Sequence, residues 1–90
     1  MDNLNGEVLR EAIFEVIHNQ VKDNNPPETR QTLDRLMAED HSQEEAMKLI
    51  GCVVASEIFE VRKHGQSYDE KRYVAALHAL PRLPWANQEE

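Results

Sequence analysis

The sequence predicts an all-α fold: a compact four-helix domain built on a long central helix, at about residues 43–64, and finished by an extended C-terminal strap. Three observations predict it. A short polar residue stands three positions ahead of a Glu at Asn25 and Glu28, Ser42 and Glu45, and Ser67 and Glu70, each time just before a helix-period run. This is the capping-box pattern, in which the first side chain accepts from an orphan N–H of the opening turn and the Glu reaches back to the cap's own N–H. The runs themselves carry apolar residues at helical spacing. Helix-stopping residues, Pro26-Pro27, Gly65 and Pro81, fall at the ends of those runs.

The first helix is expected from Asn5 or Gly6 to about Lys22, with Leu9, Ala12, Ile13, Val16 and Ile17 as its main apolar stripe. Phe14 and Val21 widen that stripe beyond what one packing surface needs. The run Asp23-Asn24-Asn25 stops it, and Pro26-Pro27 forbids continuation. A second helix then runs to Glu39, since proline is tolerated in a first turn whose N–H groups are unpaired anyway. Its buried face is narrow (Thr29, Leu33, Leu36 and Met37, with Thr32 at the margin), and Arg30, Asp34, Arg35 and Glu39 read as a solvated face.

The central helix, Gln43 to His64, spans about 33 Å at the standard rise. Glu44 and Glu45 sit at the positive end of its dipole and Arg62, Lys63 and His64 at the negative end. Between them, residues 46–55 are apolar nearly all round apart from Lys48, as befits a helix touched from several sides. A fourth helix, from Tyr68 or Asp69 to Ala79, buries Tyr73, Ala76, Leu77 and Leu80. Beyond Pro81, the strap is expected to fold Leu83 and Trp85 back onto the bundle. Residues 1–85 thus make a single helical domain, with 86–90 a frayed tail.

Composition bounds the function. Ninety residues make one domain with little core to spare for a large pocket. A net charge of -7, with no basic stripe, opposes binding to nucleic acid. The lone Cys52 excludes an internal disulfide. No stretch is apolar enough to span a membrane, and residues 1–20 have no signal-peptide pattern, so a cytoplasmic, acidic protein is expected.

One residue stands out chemically. Ala46, Ile50, Val53 and Val61 form a helical line, and Glu57 falls on it. A carboxylate aimed inward must be satisfied, because an unpaired buried charge costs several kcal/mol. Arg72, the Tyr73 hydroxyl or backbone N–H groups could satisfy it structurally. Alternatively, Glu57 with Glu60, His64 and Tyr73 forms a ligand- or metal-binding site, catalytic or regulatory. Metal ligation itself finds little support. Glu15-x-x-His18 has di-iron spacing but lies opposite the apolar stripe, and Glu60 with His64 reads as a surface pair. Cys52, mid-helix among apolar residues, behaves as a small hydrophobe rather than a nucleophile. No catalytic fingerprint nominates a reaction or a cofactor. The second and third helices do not make a DNA-reading pair either, because the third opens on Glu44 and Glu45.

Gly51 and Ala55, four apart with Cys52 and Phe59 beside them and Ile58 close by, make a small-residue groove that lets another backbone approach closely. A neighbouring helix within the monomer could fill it. The other expectation is a self-association or partner seam that combines Gly51, Ala55 and Phe59 with Phe14, Ile17 and Val21 of the first helix. The function expected from sequence is a small cytoplasmic protein-interaction module, in one form a homodimer.

Overall fold

The computed structural model describes residues 6–65 and 67–84, so the expectations for Asn5, Trp85 and the tail 86–90 lie outside the described residues. Four helices follow one another: α1 (Gly6–Asp23), α2 (Pro27–Ala38), α3 (Gln43–His64) and α4 (Glu70–Ala79). The all-α, four-helix fold with a long third helix is therefore observed. α2 and α3 pack on each other and on both remaining helices, whereas α1 and α4 make no close backbone contact with each other. The core runs along α3 through Ala46, Ile50, Val53 and Val54, and meets Ile13 and Ile17, Leu36, and Tyr73, Leu77 and Leu80.

The full capping box forms at none of the three places, and the expected cap residue is found at one. Ser42 does cap α3, its hydroxyl accepting from the Glu45 N–H at 3.0 Å. The Glu45 carboxylate, however, lies 3.4 Å from the His41 ring rather than closing the box. Asn25 does not cap α2; Pro26 holds that position without a side-chain bond. Asn25 instead gives its N–H to the Gln20 carbonyl at 3.0 Å, while Asn24, at φ 53°, gives its own to Val21. These bonds close α1 in a Schellman motif with Asn in the left-handed position. α2 ends the same way, with Asp40 at φ 78° and the His41 N–H on the Leu36 carbonyl at 3.0 Å. Gly65, at φ 64°, ends α3 as its position predicts. At α4 the cap is Asp69, not Ser67, and it accepts from the Arg72 N–H at 3.2 Å. A carboxylate next to the first turn outcompetes a hydroxyl two residues earlier, because it also meets the positive end of the dipole.

Burial departs from the expected faces on α1 and α2. On α1 only Ile13 and Ile17 are buried; Leu9, Ala12 and Val16 are exposed, because the backbone of α1 packs closely only on α2 and α3 and the helix is covered along one edge of its wide stripe. On α2, Thr29, Thr32 and Leu36 are buried and Met37 is exposed. Arg35 is not a solvated side chain. Its guanidinium reaches α4 and donates to the Leu77 and Leu80 carbonyls at 3.2 and 3.0 Å. After α4 the chain turns rather than extending, with the Arg82 N–H on the Ala79 carbonyl at 2.9 Å. Leu83 packs against the core.

Candidate functional site

The inward carboxylate on α3 is the natural starting point. Glu57 is 8% exposed and is met from α4. Its Oε1 accepts from Arg72 Nε at 3.0 Å and its Oε2 from an Arg72 terminal nitrogen at 2.7 Å, a two-pronged guanidinium–carboxylate pair. Oε2 also accepts the Asp69 backbone N–H at 3.2 Å. Asp69 is the α4 cap and Arg72 is three residues on, where a capping box would place a Glu. Here the Glu comes from another helix. Glu57 takes the cap's N–H in place of an in-line residue, and Arg72 occupies the vacant position and binds the same carboxylate. The box is completed between helices, and it fastens α3 to the start of α4. The Glu57 bond raises the Arg72 pKa further above its ordinary range, aided by the charges of Glu57, Asp69 and Glu60.

The other residues expected around Glu57 do not converge on it. The Tyr73 hydroxyl donates instead to Gln20 Oε1 on α1 at 2.8 Å, and Thr29 on α2 donates to the same oxygen at 2.8 Å. One carboxamide oxygen thus ties three helices together through two buried hydroxyls. Burial pushes the Tyr73 pKa up, and these bonds only partly offset it. Glu60 and His64 form a surface pair at 3.3 Å, one turn apart. Among the described residues no group of His, Cys, Asp and Glu is placed to hold a metal ion. Cys52 is half-buried, and burial raises its pKa, the opposite of an activated thiol.

The expected seam also divides. Ile17 is fully buried in the core and offers no surface. Gly51 is buried against α1, and a Cβ there would meet Ile13 Cγ2 at 3.4 Å and the Phe14 ring at 3.5 Å. The small-residue groove is therefore filled by α1 of the same chain. Phe14 and Val21 are half-buried against the core, with Arg10 stacked 5.5 Å from the Phe14 ring centre. Ala55 is half-buried, and Phe59 is exposed with Lys63 over its ring at 5.3 Å.

The apolar surface lies elsewhere, around Ile58. Leu9 (50% exposed), Val16 (39%), Ile58 (42%) and Phe59 (57%) gather where α1 passes over the C-terminal half of α3. Ile58 and Arg62 form a ridge between two clefts. One, of about 470 Å³, lies between α1 and α4 and includes Val16, Gln20, Val54, Tyr68 and Tyr73. The other, of about 630 Å³, separates the start of α1 from the end of α3 and includes Leu9, Ala55, Phe59 and Lys63. At the mouth of the first, the Tyr68 pKa is pushed up to about 12 by desolvation first, although the residue is 51% exposed, and then by Glu70, Tyr73, Glu57 and Asp69. The sequence reading passes over Gln20 and places Ile58 only at the margin of the Gly51 groove. Gln20 was within reach, lying three and seven residues beyond Ile17 and Ile13 on the buried edge of α1.

No helix among the described residues is long and apolar enough to cross a membrane. Compared with known protein families, curated proteins and solved structures, the chain matches none.

Proposed function

We propose that this chain is a small cytoplasmic protein-interaction module whose working surface is the Ile58 face. One observation carries the reading. Four large apolar side chains, Leu9, Val16, Ile58 and Phe59, are exposed together around two clefts, while the core beneath them is already closed. Scattered apolar residues on a surface need no explanation, but a contiguous patch beside concave clefts is the usual form of a docking site. The ligand-binding reading centred on Glu57 is less well supported, because both carboxylate oxygens already accept from Arg72 and Asp69. The net charge of -7 further supports a protein rather than a nucleic-acid partner.

The test uses Ile58→Asp and Phe59→Asp. Both should sharply reduce binding of a hydrophobic fluorescent dye and leave helical circular dichroism unchanged. Dye binding equal to that of the parent chain would remove the basis for the reading.

A further inference from the structure

We infer that the partner of the Ile58 face is a second copy of this chain, docked about a two-fold axis so that α1 of each protomer lies across the end of α3 of the other. This rests on reading the face as an interaction surface, and it adds the identity of the occupant. The argument is charge complementarity. On α1 the exposed strip of Leu9, Ala12 and Val16 is edged by Glu11 and Glu15, by helical periodicity. On α3 the exposed Ile58 and Phe59 are followed one turn later by Arg62 and Lys63. The face is thus half apolar-and-acidic and half apolar-and-basic.

None of these four charges is held in an ion pair among the described residues of the monomer. Elsewhere, several neighbouring charges pair one turn apart, as Arg30 with Asp34, Arg35 with Glu39 and Lys48 with Glu44. α1 makes no ion pair among the described residues, and neither do Arg62 and Lys63. A partner that satisfies the whole face must present a basic apolar edge to α1 and an acidic apolar helix to α3. The chain's own face has both, in adjacent positions, and a two-fold rotation exchanges them. The face is small, so a reversible, concentration-dependent dimer is expected.

A charge swap tests the geometry directly, using sedimentation velocity over a concentration series. The parent chain should dimerise. Glu11→Lys with Glu15→Lys makes both halves of the face basic, and Arg62→Glu with Lys63→Glu makes both halves acidic, so each double variant alone should be monomeric with unchanged helical content. Mixed one to one, the two should recover a heterodimer, because every acidic half then meets a basic one. A parent chain that stays monomeric throughout overturns the inference. So do swapped variants that dimerise like the parent, or a mixture that stays monomeric while the parent dimerises. The dye experiment separates this failure from that of the surface itself. A monomeric parent whose dye binding is lost in Ile58→Asp overturns only the second copy as occupant. A monomeric parent whose dye binding ignores Ile58→Asp overturns both readings.

Discussion

α1 and α4 flank the same central pair of helices, yet they are held in opposite ways. α1 is 18 residues long, and its attachment is packing: Ile13 and Ile17 enter the core, Phe14 lies on Gly51, and Gln20 supplies one shared hydrogen-bond acceptor. α4 is only 10 residues long, too short to be stable alone, and it is held at both ends by charge. Glu57 of α3 meets its N-terminus, and Arg35 of α2 meets its C-terminal carbonyls. Each sign is placed where the helix dipole favours it. Length alone therefore misjudges which flank is better fixed. The short helix is pinned, while the long one is left with an apolar flank facing outward.

The sharpest way to break this contrast is Glu57→Gln. It removes the charge from the Arg72 pair and one acceptor from the inter-helix box, and should lower unfolding stability by about 2–3 kcal/mol in a denaturant titration. Loss of helicity in α4 should precede that in α1. A change within a few tenths of a kcal/mol would show that packing alone holds α4. Arg35→Ala should act on the other end of the same helix, costing about 1–2 kcal/mol, as the Leu77 and Leu80 carbonyls lose their donor. Because Arg35 and Glu57 touch opposite ends, their effects should be close to additive.

On the α1 side the expected sign reverses. Gly51→Ala places its methyl at ordinary contact distance from Ile13 and Phe14. It should therefore stabilise by up to about 1 kcal/mol through helix propensity, read as a raised thermal midpoint. Destabilisation would mean that α1 sits closer to α3 than these distances indicate.

The smallest effect should come from alkali. Tyr68 and Tyr73 have folded pKa values above the ordinary 10.0, Tyr68 at about 12. The unfolded chain therefore releases its phenolic protons first. Their contribution to stability should be complete below pH 10.0 and fall as pH rises through the folded values. Ultraviolet difference spectra should show both tyrosines ionising late, and Tyr73→Phe should remove only the buried component.

Much of this was legible in the sequence, and the misses share a cause. The four helices and the Ser42 cap follow from local signals, namely periodicity, proline placement and a hydroxyl three residues ahead of its N–H target. Glu57 could be singled out because a charged residue on an apolar line is locally anomalous, and Arg72 stood among its expected partners. The errors arose where two local solutions compete. Asn25 resembles a cap for α2, but its N–H is taken up in closing α1. Ser67 resembles a cap for α4, but Asp69 is nearer and charged. The outward strip of α1 was also misassigned. Leu9, Val16, Ile13 and Ile17 share one broad stripe, and periodicity does not say which edge a neighbour will cover. Arg35 illustrates the same limit, since no local rule reveals that carbonyls 42 and 45 residues away need a donor.

Completion of the α4 box by a side chain from α3 has a consequence for the order of folding. A helix whose first N–H groups are satisfied from within can flicker into existence before its neighbours arrive. α4 has only part of that independence. Asp69 caps its first turn, but the acceptor for the Asp69 N–H lies 12 residues back on α3, and the donor at its C-terminus belongs to α2. It therefore registers that both have already formed, and its helicity should be the last to appear on refolding. A probe on α4 would time the end of the reaction.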